Sequence, residues 1–376
     1  MRHADEQRLI RKFVELTAID SMSLQERKMA DTLKSELEEL GFEVTEDKAA
    51  DIPGAAAGNL YGYLKGNLEG SRPVLFSAHM DTVDPGYGKK ARTDRENGII
   101  TSGGDTVLGA DDVSGIAEIL EGVRLAAEDP EGHGDIEVLF TVGEEIYGKG
   151  AWVFDYNRLI SEECYVVDMS GPVGAAVLRA PSIISFEAVI KGRAAHAGSA
   201  PETGINALQC ASKAIAKMKL GRISADTTFN VGTIKAGTVN NIVPETCVCT
   251  GECRSFDHEE AVKTIRETEA LFEKYASEAG ARLEFTSEVH IKAYETGENE
   301  PVCRDFKAAC DRLGFEGRFV PTHIGSDNNI FAEFGLRGLV ISSGMQNIHS
   351  TEEYIRIVDL IRGAELIAAL IEERRR

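Results

Sequence analysis

The sequence predicts an α/β protein with a smaller α+β domain inserted into it. Up to about residue 177, and again after residue 292, short apolar segments alternate with amphipathic helical segments. This alternation is typical of a mixed, largely parallel sheet flanked by helices. Between these regions the order changes to strand, helix, strand, strand, helix, strand, which suits a small open α+β sandwich. We therefore expect residues 1–177 and 293–376 to form an outer domain and residues 178–292 to form an inserted domain.

The individual elements follow from local patterns. Ser23 and Glu26 have the spacing of a capping box, which predicts a helix that runs to Gly41. In the outer domain, strands are predicted at 59–64, 74–79, 136–142, 164–168 and 338–342, and further helices at 112–127, 302–313 and 354–373. In the inserted domain, strands are predicted at 183–193, 227–237, 245–256 and 281–293, and helices at 204–218 and 258–278.

Size and charge limit the classes of function. A chain of 376 residues is too long for one small core, which agrees with two domains. The formal net charge of −21 disfavours binding to nucleic acid or to an anionic membrane, because both need a basic surface. The start, MRHADEQRLIRKF, has no apolar signal core, and no apolar run reaches membrane-spanning length, so we expect a cytoplasmic protein. The seven cysteines are expected to be reduced, and CVCTGEC lacks the Cys-x-x-Cys spacing of a zinc site.

Side chains that can bind a metal ion occur at five places, each at the end of a predicted strand or in the loop after one. These are His79 with Asp81, the pair Asp111 and Asp112, the pair Glu144 and Glu145, Asp168, and His349. Each has a structural alternative, since one carboxylate could cap a helix and strand ends are polar in any case. A second adjacent carboxylate is not needed for a cap, however, and like charges side by side are unfavourable without a cation. Because open α/β sheets bind ligands at the carboxyl ends of their strands, the five places are predicted to form one site.

The types of side chain indicate the chemistry. Mixed sets of imidazole and carboxylate suit zinc or a similar divalent ion. Two such ions can polarise a carbonyl group and generate hydroxide near neutral pH, and a carboxylate outside the ligand set can then act as general base. The H-x-D spacing of His79 and Asp81 places both side chains on one side of an extended segment, where the carboxylate could hold the second ring nitrogen of a metal-bound imidazole.

Taken together and in order, the motifs resemble a known family of enzymes. They are SAHMDTV, LGADD, GEEIYGKG, VVD, GRAAHAG, NNIVP, GSDNN and NIHSTEEYI. The set resembles the co-catalytic zinc peptidases that include aminoacylase, glutamate carboxypeptidase and peptidase T, and in particular the peptidase T-like branch. The resemblance extends over essentially the whole chain. It implies a zinc-peptidase catalytic domain and an inserted domain that serves as lid and dimerisation domain.

The resemblance also implies roles for residues of the outer domain. Asp111 would bridge two zinc ions, for which cobalt or manganese could substitute. Glu144 would be the general base, Asp81 would orient a histidine ligand, and the peptide bond between Asp111 and Asp112 would be cis. The full ligand set would be His79, Asp111, Glu145, Asp168 and His349.

In the inserted domain, His196 matches the histidine that stabilises the oxyanion, either in its own site or in that of a partner subunit. Asn241 and Arg254 match substrate-holding positions, and Arg254 could pair with a peptide carboxylate, although a surface arginine is the alternative. The loop of Gly325, Ser326 and Asp327 matches one that approaches the bound peptide.

The predicted function is hydrolysis of short peptides by attack of a di-zinc hydroxide, most simply an aminopeptidase that releases the N-terminal residue of tripeptides. N-acyl amino acid deacylation or carboxypeptidase action would use the same metal residues and stays open as an alternative. A catalytically silent relative is disfavoured, because every residue of the metal set and the base is present. A homodimer formed through the inserted domain is expected.

Overall fold

The computed structural model describes residues 3–375, which form two compact units. The first unit comprises the chain up to Leu178, Glu295–Pro321 and the chain from Ser326 onward. The second comprises Arg179–Tyr294 together with the short segment Thr322–Gly325. The loop of Gly325, Ser326 and Asp327 is therefore divided between the two units.

The helices and strands are numbered in chain order. The helices are α1 Glu6–Thr17, α2 Arg27–Glu39, α3 Ala110–Ala127, α4 Lys149–Val153, α5 Ala207–Ile215, α6 His258–Glu278, α7 Pro301–Arg312, α8 Asp327–Glu333 and α9 Ile357–Glu373. The strands are β1 Glu43–Glu46, β2 Leu60–Leu64, β3 Val74–His79, β4 Ala91–Asp94, β5 Ile99–Ser102, β6 Ile136–Thr141, β7 Glu163–Met169, β8 Ala175–Val177, β9 Arg179–Ala180, β10 Ser182–Lys191, β11 Gly221–Arg222, β12 Thr227–Ala236, β13 Thr246–Ser255, β14 Arg282–Ile291, β15 Tyr294–Glu295, β16 Arg318–Phe319, β17 Arg337–Ser342, β18 Met345–Gln346 and β19 Tyr354–Arg356. Short 3₁₀ turns lie at Lys48–Asp51, Glu144–Ile146, Tyr156–Arg158 and Pro201–Thr203.

The first unit is built on an eight-stranded mixed sheet with the order β1-β2-β6-β3-β7-β17-β8-β16. Its four central strands, β6, β3, β7 and β17, are parallel to one another. Strands β3 and β6 are buried along their whole length, as expected of central strands covered on both faces by helices. The predicted mixed, largely parallel sheet flanked by helices is confirmed.

Helix α3 lies between the sheet and other helices of the first unit. It packs against α1 and α9 and against strands β3 and β7. Sixteen of its residues are buried, so the helix is enclosed around nearly its whole circumference. Its N-terminus, which carries Asp111 and Asp112, therefore has a position fixed by packing on all sides.

Two predicted elements differ from the structure. The helix predicted at 354–373 begins at Ile357, because Tyr354 and Ile355 pair with Thr101 and Ile100 in a separate four-stranded sheet, β18-β19-β5-β4. The capping box at Ser23 and Glu26 does not form. Helix α2 begins at Arg27, and no side chain caps it.

The second unit has the predicted α+β order. Its five-stranded antiparallel sheet, β11-β12-β13-β10-β14, packs against α5 and α6. Cys247 and Cys249 lie on the same face of β13, with sulfur atoms 3.9 Å apart in the core of the unit. All seven cysteines are buried thiols without disulfide bonds. Within residues 3–375, no helix combines the length and apolar character needed to cross a bilayer.

Candidate active site

The acidic residues of the first unit meet at the carboxyl ends of its central parallel strands. His79 is the last residue of β3, Glu144 and Glu145 form the turn after β6, and Asp168 lies near the end of β7. Asp111 stands at the start of α3, which packs on the same strands. We call the set of His79, Asp81, Asp111, Asp112, Glu144, Glu145, Asp168 and His349 the acidic centre.

One carboxylate lies between two imidazoles. Asp111 Oδ1 is 3.0 Å from His79 Nε2, and Asp111 Oδ2 is 3.1 Å from His349 Nε2. His349 Nε2 also lies 2.9 Å from Glu145 Oε1, and His79 Nε2 lies 3.9 Å from Asp168 Oδ1. Each oxygen of Asp111 thus faces a different histidine, as a carboxylate shared by two metal ions would.

The donor atoms form two groups of metal-ligand type. His79, Asp111 and Glu145 offer atoms within 4.8 Å of one another, and so do His79, Asp112 and Asp168. Nitrogen and oxygen donors of this kind suit zinc and related divalent ions. The peptide bond between Asp111 and Asp112 is cis, as the resemblance described above implies.

The carboxylates of the acidic centre lie close enough to repel one another. Desolvation, followed by the charges of Asp112 and Asp111, raises the pKa of Asp168 well above its usual value. Desolvation also raises the pKa of Glu144, with a further contribution from Asp168. Burial opposes the charge of Asp111, but hydrogen bonds from His349 and His79 outweigh it and lower the pKa of that carboxyl. Carboxylates packed this closely fit a site that divalent cations occupy.

The same carboxylates raise the pKa of the two histidines, His79 and His349. Burial disfavours the charge of His79, but hydrogen bonds with Asp111 and Asp81 raise its pKa well above the usual value. Hydrogen bonds with Asp111 and Glu145 raise the pKa of His349 to about 10. Without metal, protonated imidazoles therefore supply the positive charge beside these carboxylates.

Asp81 contacts both His79 and the Glu144–Glu145 turn. His79 Nδ1 lies 2.9 Å from the main-chain oxygen of Asp81 and 3.4 Å from its carboxylate Oδ1, so the carbonyl is the nearer partner. The sequence predicts the carboxylate instead, but β3 ends at His79 and the period-two geometry does not extend to Asp81. The carboxylate accepts hydrogen bonds from the main-chain N–H of Glu144 (3.0 Å) and Glu145 (3.2 Å) and from Ser23 Oγ (2.7 Å).

Several hydrogen bonds around the acidic centre are not indicated by the sequence. Ser23 binds Asp81 rather than capping a helix. Asp112 accepts the main-chain N–H of His79 at 3.2 Å. Glu26 and Glu353 accept main-chain N–H groups next to the two acid pairs. The motif NIHSTEEYI contains Glu353, but nothing in its local sequence indicates a partner more than 240 residues away.

The loop that begins α8 places two predicted residues in the first unit. Ser326 is the N-cap of α8 and accepts the N–H of Asn328 at 3.3 Å. Asp327 is buried, and its Oδ2 accepts a 2.6 Å hydrogen bond from Thr141 Oγ1. Burial raises the pKa of Asp327 to about 6.

In the second unit, His196 has a defined tautomer. Its Nδ1 accepts the main-chain N–H groups of Gly198 and Ser199, both at 3.1 Å, so Nε2 carries the proton in the neutral ring. The side chain is exposed, which leaves a hydrogen-bond donor at the surface of the unit. Asn241 is exposed nearby, and its main-chain oxygen accepts the N–H of Ala197.

Arg254 has partners of its own in the second unit. Its guanidinium binds the carboxylate of Glu252 at 2.8 and 3.3 Å and the main-chain oxygen of His323 at 3.1 Å. A peptide carboxylate would have to share or displace Glu252. Gly325, also in this unit, lies against Ile291, because a Cβ atom at this position would be 2.1 Å from Ile291 Cδ1.

Comparisons with known proteins identify similar family models, sequences and structures. Residues 180–280 match the family model of a peptidase dimerisation domain of M20 type, and residues 59–176 match that of peptidase family M28. The protein YqjE of Bacillus subtilis is 37% identical and covers 98% of this chain and 99% of its own length. The crystal structure of aminopeptidase PepT from Bacillus cereus is 36% identical, with a TM-score of 0.93 over 99% of this chain and all of its own. A tripeptidase from Staphylococcus aureus is 34% identical, with a TM-score of 0.96 over the full length of both chains.

Proposed function

Because the chain belongs to the peptidase T branch of the M20 peptidase family, we propose that it is a metal-dependent aminopeptidase that releases the N-terminal residue of short peptides, tripeptides above all. Two full-length similarities above 30%, to an aminopeptidase and to a tripeptidase, support the activity. The observation that carries the proposal is the Asp111 carboxylate between the imidazoles of His79 and His349, with the Glu144–Glu145 pair beside it.

Five residues of the acidic centre would hold two divalent ions. They are His79, Asp111, Glu145, Asp168 and His349, with Asp111 shared between the ions. Zinc fits this mixture of donors, and cobalt or manganese could take the same positions. When bound, the ions polarise the scissile carbonyl and lower the pKa of the attacking water.

The remaining chemistry belongs to side chains of this chain. Glu144 would accept a proton from the attacking water and deliver it to the leaving amine. Asp81 would keep the main chain of Glu144 in place through the hydrogen bond it accepts from it. His196, with its proton on Nε2, would donate to the oxyanion of the substrate, from this chain or from a second copy.

Substrate binding would involve the second unit. Arg254 would pair with the carboxylate of the peptide, with Glu252 as its partner in the absence of substrate. Asn241 and the loop of Gly325, Ser326 and Asp327 would contact the rest of the peptide.

The two units would have separate tasks. We assign catalysis to the first unit and the roles of lid and dimerisation domain to the second, in line with its match to a dimerisation domain. The protein would be a homodimer, which light scattering of the purified protein tests directly. The seven buried thiols fit a reducing compartment, so we place the enzyme in the cytoplasm.

The activity is tested with an unblocked tripeptide and its N-acetylated form. We expect release of the N-terminal residue from the unblocked peptide only, loss of activity after chelation and recovery when zinc, cobalt or manganese is restored. Cleavage of the acetylated form alone would move the reaction to deacylation, and release of the C-terminal residue would indicate a carboxypeptidase.

The role of Glu144 is tested separately with Glu144→Gln, which keeps the size of the side chain and removes its basicity. Turnover is expected to fall by about 10²- to 10⁴-fold while the bound metal stays at the level of the parent protein. Full turnover in a variant that still binds metal would refute the assignment of the base.

A further inference from the structure

Glu353 binds the main chain on both sides of Ala110. Its Oε2 accepts the N–H of Gly109 at 2.7 Å, and its Oε1 accepts the N–H of Asp111 at 3.0 Å. The residue is 1% exposed, so water does not compete for these bonds. Both oxygens of Glu353 are therefore committed to the segment that carries Asp111.

The start of α3 needs a partner of this kind. The N-cap of α3 is Gly109, which has no side chain to accept the N–H groups at the helix start. The φ and ψ angles of Asp111 and Asp112 also depart from helical values, so the first turn is not held by regular helical hydrogen bonds. Glu353 supplies from a distant part of the sequence the acceptor that the N-cap lacks.

Glu26 has a similar relation to the second acid pair. Its Oε1 accepts the N–H of Gly143 at 3.0 Å and that of Leu24 at 2.8 Å. Gly143 directly precedes Glu144 and has a φ of 63°, so the turn leaves the strand in a left-handed conformation. Glu26 is fully buried, and its Oε2 has no hydrogen-bond partner among the described residues. One oxygen of Glu26 thus makes both contacts.

Together with Asp81, Glu26 holds three successive amides of the turn. The N–H groups of Glu144 and Glu145 bind the carboxylate of Asp81, and the preceding N–H of Gly143 binds Glu26. Gly143, which directly precedes Glu144, is thereby held by a residue at the start of α2. Glu26 is the N-cap residue of that helix, but its side chain makes no capping hydrogen bond there.

We propose that Glu353 and Glu26 are positioning residues with separate tasks: Glu353 fixes Asp111 for metal binding, and Glu26 fixes the turn that carries Glu144 for turnover. This inference rests on the proposed function. Residues that orient metal ligands commonly change metal affinity when they are replaced. Glu353 accepts with both oxygens and Glu26 with only one, so the substitution Glu→Gln should impair the protein at position 353 and be tolerated at position 26.

For Glu353, the test is a cobalt titration of the metal-free protein, followed by the visible absorption of the bound ion. In Glu353→Gln the amide NH₂ faces one main-chain N–H group, so cobalt affinity should fall by about 10- to 100-fold. Glu352→Gln changes the exposed neighbouring glutamate and should bind cobalt like the parent protein. Parent-like affinity in Glu353→Gln would overturn the proposal. If this variant does not fold, Glu353→Asp, which withdraws the carboxylate by one methylene, carries the same prediction.

For Glu26, the test compares two substitutions at saturating metal. Glu26→Gln can keep its carbonyl oxygen on Gly143 and Leu24 and place its NH₂ where Oε2 has no partner, so kcat should remain within a factor of two or three of the parent. Glu26→Met removes the acceptor, and kcat should fall on the order of tenfold or more with KM little changed. Cobalt affinity should fall less than kcat, because the proposed ligand Glu145 lies one residue further from Gly143 and keeps its bond to Asp81. Glu38→Gln, on the exposed side of α2, is the control. Equal kcat values for Glu26→Met and the control would overturn this part. If Glu26→Met does not fold, Glu26→Ala, which admits water to the two N–H groups, replaces it.

These measurements are separable from the proposed activity. The cobalt titration needs no substrate, so a parent protein that binds cobalt but cleaves no tripeptide would refute the aminopeptidase and still allow the test of Glu353. Conversely, if the parent enzyme is active and its Glu353→Gln variant binds cobalt normally, the proposed function is supported and the role of Glu353 is refuted.

Discussion

Replacement of Gly115 by alanine should weaken metal binding while the protein remains folded. Gly115 lies in the first part of α3, where a Cβ atom would be 2.2 Å from the main-chain oxygen of Val167 and 2.5 Å from Asp112 Oδ1. Val167 directly precedes Asp168 on β7, so the clash is with a main-chain atom that no side-chain rotation can remove. The start of α3 must move away from β7, and Asp111 moves with it.

The size of the effect follows from these distances. Carbon and oxygen atoms that are not bonded need at least about 3 Å, so the displacement approaches about 1 Å, and a misplacement of that size can cost about 10²-fold in activity. Overpacking costs about 1–3 kcal/mol of the free energy of unfolding, from which about 1 kcal/mol is recovered because alanine favours helix over glycine. The variant should therefore fold and lose activity, and because Asp111 is displaced it should bind metal more weakly by about 10- to 100-fold.

A matched control lies two turns further along the same helix. A Cβ atom at Gly122 would be 2.5 Å from Ile367 Cβ and 2.7 Å from the main-chain oxygen of Ala364, both on α9. Urea denaturation should show similar losses of stability for Gly115→Ala and Gly122→Ala, and titration with cobalt should show weaker binding only for Gly115→Ala. Parent-like cobalt affinity and turnover in Gly115→Ala, or equal loss of affinity in both variants, would refute the reasoning.

Three further outcomes are expected. Arg374→Met should lower the free energy of unfolding by about 1–3 kcal/mol in urea denaturation without changing metal affinity, because it removes the buried one of two guanidinium groups that pair with Glu163 and Asp305, the other being that of Arg72. Burial lowers the pKa of Lys89 from 10.5 to about 8. Between pH 8 and pH 10.5 the unfolded chain therefore binds more protons than the folded one, so the free energy of unfolding of the parent should rise with pH in this range. Lys89→Met should remove this rise and be more stable below pH 8 by roughly 3 kcal/mol at most, whereas Lys90→Met, at an exposed position, should leave it unchanged. Chelation should lower the melting temperature in calorimetry, because metal binds the folded protein preferentially, and unchanged melting would contradict a bound metal.

Much of the fold is predictable because its signals are local. The fully buried strands β3 and β6 are continuous apolar runs, and α3 has the length and composition of a buried helix. Helix α1 was not among the predicted elements, although Leu9, Phe13 and Leu16 give it a buried face at helical spacing. The start of α9 was not predictable, because the pairing of Tyr354 with Thr101 depends on a strand from another part of the chain.

The candidate site was likewise predictable in part. The sequence places His79, Glu144, Glu145 and Asp168 at or just after strand ends, and parallel strands bring such ends to one edge of the sheet. It places Asp111 and Asp112 before a helix. The short contacts of His349 with Asp111 and Glu145 follow only from the folded chain. The partner of Arg254 was equally hidden, although Glu252 is only two residues away, because the sequence does not say which of several carboxylates a flexible guanidinium will bind.

By itself the sequence determined which side chains have the donor chemistry for metal binding and that several of them follow buried strands, because donor chemistry and strand periodicity are properties of single residues and their neighbours. The tertiary structure decided which atoms meet. Glu353 reaches the N–H groups of Gly109 and Asp111 across more than 240 residues, and Ser23 binds Asp81 instead of capping its helix. Such bonds form because a buried N–H group must find an acceptor, and only the packing of distant segments determines which acceptor lies within reach.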